Sequence, residues 1–98
     1  MYRINRVYQN RSVALIKVAG ELTDSDLGNW NQSVSELGSA KHGDVILDFC
    51  DVAWISPKAA QQLVDGLTKN LLLLNCPTAV KNMACSSGFE AQVLDKDR

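Results

Sequence analysis

Apolar segments alternate with helix-start signals along this chain, and that alternation constrains its fold more than any other feature. Ser12–Val18 leaves only Lys17 strongly polar, Asp44–Cys50 holds a near-continuous apolar run, and Leu71–Leu74 is four leucines. Strand–helix–strand units place their strands in parallel through right-handed crossovers. Tyr2–Tyr8 also alternates and reaches the next segment through a short turn, which indicates an antiparallel first pair. We therefore predict an α/β fold with a mixed sheet of four to five strands and three helices.

Capping residues mark where the helices begin. Thr23-Asp24-Ser25-Asp26 has the spacing of a capping box, with a hydroxyl followed three residues later by an acid. Ser56-Pro57 places an N-cap serine before a proline at the first helical position, where the missing N–H has no cost. We expect the third helix to begin at about Pro77.

The four leucines allow two interpretations. They could extend the second helix into one helix over Pro57–Leu74, or form a short strand after a break near Asn70. We favour the strand, because adjacent leucines bury better in a sheet that is covered on both faces. For the same reason we expect both faces of Ser12–Val18 to be covered. Glu90–Leu94 is either a last short strand or an irregular tail.

Size and charge exclude several classes of protein. The chain has 98 residues, which predicts one domain over residues 1–98. It has 10 Lys and Arg residues against 11 Asp and Glu, a net charge of −1, and this balance argues against a nucleic-acid partner. No signal peptide is evident, and the apolar runs are far too short to span a bilayer. We therefore expect a cytoplasmic location without membrane insertion.

Few residues here could carry catalysis or bind a metal. His42 is the one histidine, and a strand of about 20 Å separates it from Cys50 and Ser56, beyond hydrogen-bond reach. Neither a phosphate-binding loop nor a dinucleotide motif is present. We predict no enzymatic activity, no cofactor and no metal site.

The cysteine count indicates a reducing compartment. Cys50, Cys76 and Cys85 are odd in number and have no close spacing. We expect reduced, buried thiols that alkylate slowly. A disulfide between Cys50 and Cys76 is the alternative, since both follow strands expected to be neighbours.

The carboxyl ends of the parallel strands are the expected site. In open α/β sheets, ligands and partners bind beside that edge, and helix N-termini there accommodate anions. We expect the loops at residues 20–24, 51–58 and 75–78 to meet there. Trp54 lies beside this edge, either as a core aromatic or as an exposed interface anchor.

Five segments, in order, resemble the STAS domain, the family of bacterial anti-sigma factor antagonists and of sulfate-transporter tails. The first three are an apolar strand leading into Gly-x-Leu (Val18–Leu22), a strand ending in Asp (Val45–Phe49) and the approach to the family's signature loop (Val52–Ile55). The last two are a helix start (Cys76–Val80) and a closing Ser-Gly-aromatic (Ser87–Phe89). The resemblance covers Ser12 to about Phe89. It implies a STAS-like fold for the single domain.

The signature loop departs from the family's pattern. In the family this loop reads Asp-Ser-Ser/Thr-Gly, and its first serine is phosphorylated by a kinase that is also the anti-sigma factor. This chain has Ser56-Pro57-Lys58-Ala59, so Pro57 occupies the phosphoacceptor position without a hydroxyl. Ser56 is the candidate for a displaced phosphoacceptor, although helix capping also explains it.

The resemblance implies a protein-binding module in transcription regulation. Its partner would be an anti-sigma factor or kinase-like protein, and the module itself a monomer or weak homodimer. Two alternatives remain: an accessory subunit that binds a membrane transporter, and a small-molecule or nucleotide sensor, which a ligand would stabilise against heat. The expected partner-binding residues are Thr23, Asp24, Trp54, Ser56, Pro57 and Lys58.

Overall fold

The computed structural model describes residues 1–39 and 43–94. His42 and its turn therefore lie outside the described residues. The described part contains strands and α-helices in the predicted order: β1 (Tyr2–Gln9), β2 (Val13–Leu22), α1 (Leu27–Gly38), β3 (Asp44–Ile55), α2 (Pro57–Asp65), β4 (Leu71–Leu74) and α3 (Thr78–Ser86), with 3₁₀ turns at Asp24–Asp26 and Glu90–Gln92.

The strands form a mixed sheet in the order β1-β2-β3-β4. β1 pairs antiparallel with β2, whereas β2 with β3 and β3 with β4 are parallel, as predicted. The strand interpretation of Leu71–Leu74 is confirmed, because α2 ends at Asp65 and the leucines pair with Val45–Asp48. Glu90–Leu94 is not a full strand, since only Val93 bridges to Leu73.

The three helices lie side by side on one face of the sheet. Both β2-α1-β3 and β3-α2-β4 step to the next strand in the same direction, and right-handed crossovers of that kind place their helices on the same face. α2 packs against both α1 and α3. The core between the layers includes the buried side chains Val18, Trp30, Leu47, Leu63 and Leu73.

The opposite side of the sheet is not covered by any helix of the described residues. We call this side the outer face and define it by Leu15, Lys17, Ile46, Asp48 and Leu72, which alternate with the core residues of their strands and are half-buried. The expectation that both faces of the second strand are covered is therefore wrong. Two parallel crossovers in one direction supply helices to one face only.

No helix in the described part of the chain combines the length and the apolar character that crossing a membrane requires.

Candidate functional site

The ends of β2 and β3 bring two of the predicted loops together. Leu22 and Ile55 are register partners, and the Ser56 backbone N–H donates to the Leu22 carbonyl at 2.8 Å. The residues after β2 therefore lie beside those after β3. We call the predicted set at this position the docking edge: Thr23, Asp24, Trp54, Ser56, Pro57 and Lys58.

The third loop does not reach the docking edge. β4 ends at Leu74, opposite Asp48, while β3 continues to Ile55. At about 3.3 Å per residue, this places residues 75–78 about 15–20 Å from the docking edge along the strand direction. The expectation that all three loops meet is wrong for this loop, because β4 is much shorter than β3.

Ser56 caps α2 as predicted. Its Oγ accepts a hydrogen bond from the Ala59 backbone N–H at 3.1 Å, and Pro57 is the first helical residue. Ser56 is only 2% exposed. A kinase would therefore have to open the start of α2 to reach this hydroxyl. The role of displaced phosphoacceptor stays a prediction, and capping accounts for the serine without it.

We expect Ser56→Ala to lower the free energy of unfolding by about 0.5–2 kcal/mol, because it leaves the Ala59 N–H at a buried helix start without its acceptor. Urea unfolding of the variant against the parent measures this. Ser35→Ala, on the exposed side of α1, is the matched control and should change stability by less than about 0.5 kcal/mol. Equal losses in the two variants would contradict the capping role.

Thr23 and Asp26 fold the other loop of the docking edge. The Asp26 carboxylate accepts hydrogen bonds from the Thr23 N–H and hydroxyl, both at 3.0 Å, and lies 3.4 Å from the Met1 ammonium group. The Thr23 N–H bond, more than the opposing burial, holds the pKa of Asp26 below its ordinary value. Thr23 thus shapes the loop, and Asp24 presents its charge to solvent.

Trp54 is an exposed side chain, and the core interpretation is wrong. It is 51% exposed and lies opposite Glu21 on the outer-face side of the strand, while its neighbour Ile55 is buried. Strand alternation counted back from a buried Ile55 is the signal that could have predicted this orientation. Whether Trp54 anchors a partner stays a prediction.

Sequence analysis missed Met1, which belongs beside this tryptophan. The Glu21 N–H donates to the Met1 carbonyl at 2.9 Å, so Met1, Glu21 and Trp54 form one row across three strands. Met1 is 88% exposed. This row depends on the pairing of the first residue with the end of β2, a long-range contact without a local sequence signal.

A polar cluster lies on the outer face near the end of β4. Lys17 pairs with Asp51 at 3.2 Å, and Asp48 Oδ1 accepts from the Asn75 side chain and the Cys50 backbone N–H, each at 2.9 Å. Asn75 has a positive φ of 54°, so its bond to Asp48 fastens a turn of unusual backbone conformation. The cluster therefore holds the loop before α3 against β3.

The expected burial of the cysteines is wrong. Cys50 and Cys85 are exposed and Cys76 is half-buried. Desolvation, followed by the hydrogen bond and charge of Asp48 and the charge of Asp51, raises the pKa of the Cys50 thiol. This shift disfavours the thiolate form of the exposed Cys50. Among residues 1–39 and 43–94, no His, Cys, Asp and Glu side chains are grouped as a metal site.

The hydrogen bonds to the Asp48 carboxylate predict a contribution to the stability of the fold that is lost in acid. Burial opposes ionisation of Asp48, but the Asn75 and Cys50 hydrogen bonds and the Lys17 charge outweigh it and lower its pKa. A carboxylate with a depressed folded-state pKa stabilises the fold above its ordinary pKa of about 4, and this contribution is lost as the pH falls through the folded-state value.

We therefore expect Asp48→Asn to flatten the decline in unfolding free energy between about pH 5 and about pH 2. Urea unfolding at a series of pH values measures the slope. Ser35→Ala on α1, which removes no titratable group, is the control and should keep the parent's slope. A decline in Asp48→Asn as steep as in the parent would contradict the assignment.

Comparisons with known proteins agree with this architecture. No family model matches the sequence, and no curated protein matches it. The solved structures that match include the anti-sigma factor antagonist SpoIIAA in its unphosphorylated form, with a TM-score of 0.60 and 16% identity over 100% of this chain and 90% of that chain. The Bacillus cell fate determinant SpoIIAA in its phosphorylated form matches with a TM-score of 0.58 and 18% identity, over 100% and 93%. At these identities the likeness concerns the fold, and the predicted STAS-like fold, with a four-stranded mixed sheet and three helices, is confirmed.

Proposed function

We propose that this chain is a cytoplasmic, non-enzymatic regulatory module of the anti-sigma factor antagonist type, which binds a protein partner through the docking edge. The observation that carries the proposal is the chemistry of that edge. Trp54, Pro57, Lys58 and Asp24 are exposed at this one edge, whereas the Ser56 hydroxyl is buried in a helix cap. An aromatic anchor with flanking charges is typical of a protein interface.

The proposal includes binding that phosphorylation does not control. SpoIIAA, whose fold this chain has, exists in phosphorylated and unphosphorylated forms. A phosphate adds about −1.5 to −2 charges and would alter an interface at a helix N-terminus. Here Pro57 has no hydroxyl and Ser56 is inaccessible. A module of this kind would bind its partner constitutively.

Lys58 indicates the charge that we expect on the partner's surface. It is exposed in the first turn of α2, where the helix dipole disfavours a cation by about 0.3–1 kcal/mol. A carboxylate of the partner would offset that cost and select the partner's orientation. We therefore expect an apolar pocket for Trp54 with an acidic side chain beside it.

The test is quantitative capture from lysate of the source organism with four immobilised proteins: the parent, Trp54→Ala, Lys58→Glu and Lys69→Glu. Lys69 is the matched control, because it is an exposed lysine just before β4, at the opposite end of the sheet. We expect one protein, recovered equally by the parent and Lys69→Glu, to bind at least about 30-fold more weakly to Trp54→Ala, the loss typical of a hot-spot residue. A weaker decrease is expected for Lys58→Glu.

Phosphosite mapping of the protein from its native cell completes the test. We expect Ser56 to be unmodified and Ser56→Ala to keep its partner. Phosphate on Ser56 together with loss of the partner in Ser56→Asp would contradict constitutive binding. Unchanged capture by both Trp54→Ala and Lys58→Glu would exclude the docking edge. Recovery of a membrane transporter as the edge-dependent partner would instead indicate the accessory-subunit role.

A further inference from the structure

The outer face has an apolar row that crosses the whole sheet. Register aligns Tyr8 with Leu15, Leu15 with Ile46, and Ile46 with Leu72, so these four side chains lie side by side on β1 to β4. Tyr8 is exposed and the other three are half-buried. Nothing among the described helices covers them, because α1, α2 and α3 all lie on the other face.

An uncovered face is unusual for strands paired in this way. Parallel sheets occur almost only with both faces covered, whereas antiparallel sheets often leave one face to water. β2, β3 and β4 are parallel, and their outer-face positions carry the apolar side chains that a second layer would bury. The apolar row is therefore a strip of side chains typical of a covered face, and none of the described helices covers it.

The charges beside the apolar row indicate which partner covers it. Near the apolar row, cations lie on the β1–β2 half of the face, at Arg3 and Lys17, and anions lie on β3, at Asp48 and Asp51. Glu21 is an anion on β2, but it lies at the far end of the strand beside Trp54. Lys17 and Asp51 remain 37% and 53% exposed although they pair with each other. A surface with cations on one half and anions on the other half is complementary to a copy of itself turned by a half-rotation.

We propose that the outer face binds the outer face of a second copy of this chain, about a twofold axis that runs parallel to the strands between β2 and β3. This rotation places β2 over β3 of the second copy and β1 over its β4. The apolar row then packs on the same row reversed, at the spacing of about 10 Å usual for stacked sheets. Lys17 of the first copy faces Asp51 of the second copy, and Asp51 of the first copy faces Lys17 of the second copy.

The size of the face predicts a weak dimer. Four strands that lie about 4.8 Å apart and average about 25 Å in length present roughly 500 Å² per copy, or about 1,000 Å² in total. That total is at the low end of specific interfaces, where transient complexes are found. The dimer is therefore expected at high concentration and not at low concentration. Its apolar row and its Lys17–Asp51 pair lie towards the other end of the strands from Trp54, so the two proposals are tested by different variants.

Sedimentation equilibrium from about 1 µM to about 1 mM tests the dimer. The mass of the parent should rise from the monomer value of 10.7 kDa towards twice that value. Lys17→Glu and Asp51→Lys should each weaken association at least about tenfold, because each variant opposes like charges across the axis. An equimolar mixture of the two variants should associate about as tightly as the parent, since every facing pair is then of opposite sign.

The mixture separates the interface from folding effects. Each variant also loses its internal Lys17–Asp51 pair, but that loss is the same alone and mixed, so recovery on mixing reports only contact between copies. Lys58→Glu and Asp65→Lys, on α2, are the matched controls and should associate like the parent alone and mixed. Amide signals of Leu15, Ile46 and Leu72 should shift with concentration in NMR spectra of the parent, while those of α2 stay constant.

A parent that stays monomeric at about 1 mM would overturn the proposal, and a different protein would then be the occupant of the outer face. Parent-like association of Lys17→Glu alone, or an equimolar mixture that remains monomeric, would overturn it as well. Concentration-dependent shifts confined to α2 would place the contact on the helix layer and not on the outer face.

Discussion

Leu47→Ala and Leu63→Ala are each expected to lower the free energy of unfolding by about 2–5 kcal/mol, the usual range for truncating a buried leucine. Leu47 lies in the middle of β3 and Leu63 on the sheet-facing side of α2, and neither side chain has any solvent exposure. Each truncation leaves a cavity between the sheet and the helix layer. Because small domains are stable by only about 5–15 kcal/mol, such a loss is a large fraction of the total.

Urea unfolding measured by circular dichroism checks this expectation. Val7→Ala is the matched control, since Val7 is 58% exposed on the edge strand β1 and its truncation opens no cavity. The control should lose less than about 1 kcal/mol, in line with surface substitutions. Losses below about 1 kcal/mol at both leucines would show that these side chains do not form the core.

Trp30→Ala is expected to be at least as damaging, at about 3–5 kcal/mol. Trp30 is fully buried, and its ring makes edge contacts with Tyr2 at 5.4 Å and Phe49 at 6.5 Å between centroids. Its Nε1–H donates to the Ala59 carbonyl at 3.0 Å. One side chain on α1 therefore joins two strands and α2.

Trp30→Phe separates the two contributions of this side chain. It keeps an aromatic ring but removes the bond to Ala59, so we expect an intermediate loss, including about 0.5–1.5 kcal/mol for the hydrogen bond. Trp54→Phe is the control, because that tryptophan is exposed and should tolerate the change within about 0.5 kcal/mol. Chemical denaturation of the three variants measures the differences. Equal stability of Trp30→Phe and Trp54→Phe would contradict the central role of Trp30.

Local sequence signals were sufficient for the elements and their order. The Ser56-Pro57 start of α2 rests on a hydroxyl and a backbone N–H three residues apart, a contact that the sequence itself brings within reach. Leu71–Leu74 forms a strand as predicted, because its alternate residues Leu71 and Leu73 enter the core. The parallel pairing followed from the alternation of strands and helices. A crossover that contains a helix brings the next strand back parallel to the first.

Tertiary structure decided which surfaces remain open. Whether successive crossovers step in one direction or reverse is not contained in any single segment. Here they step in one direction, so the described helices leave the outer face uncovered. The length of β4 relative to β3 displaces the third loop from the docking edge. Cys50, predicted as buried, is exposed because it follows the buried Phe49 on β3 and lies on the side that the described helices do not cover.

In the candidate site, too, some features follow from the sequence and others from the tertiary structure. The sequence by itself determined the capped start of α2 at Ser56-Pro57 and the charge of Lys58, because these depend on residue identity and short spacing. Only the tertiary structure decided that Trp54 faces solvent and that Met1 lies in its row, because both depend on the register between strands distant in sequence. A strand that shifts by one residue exchanges its two faces, so exposure of a strand side chain follows from long-range pairing and not from its own neighbours.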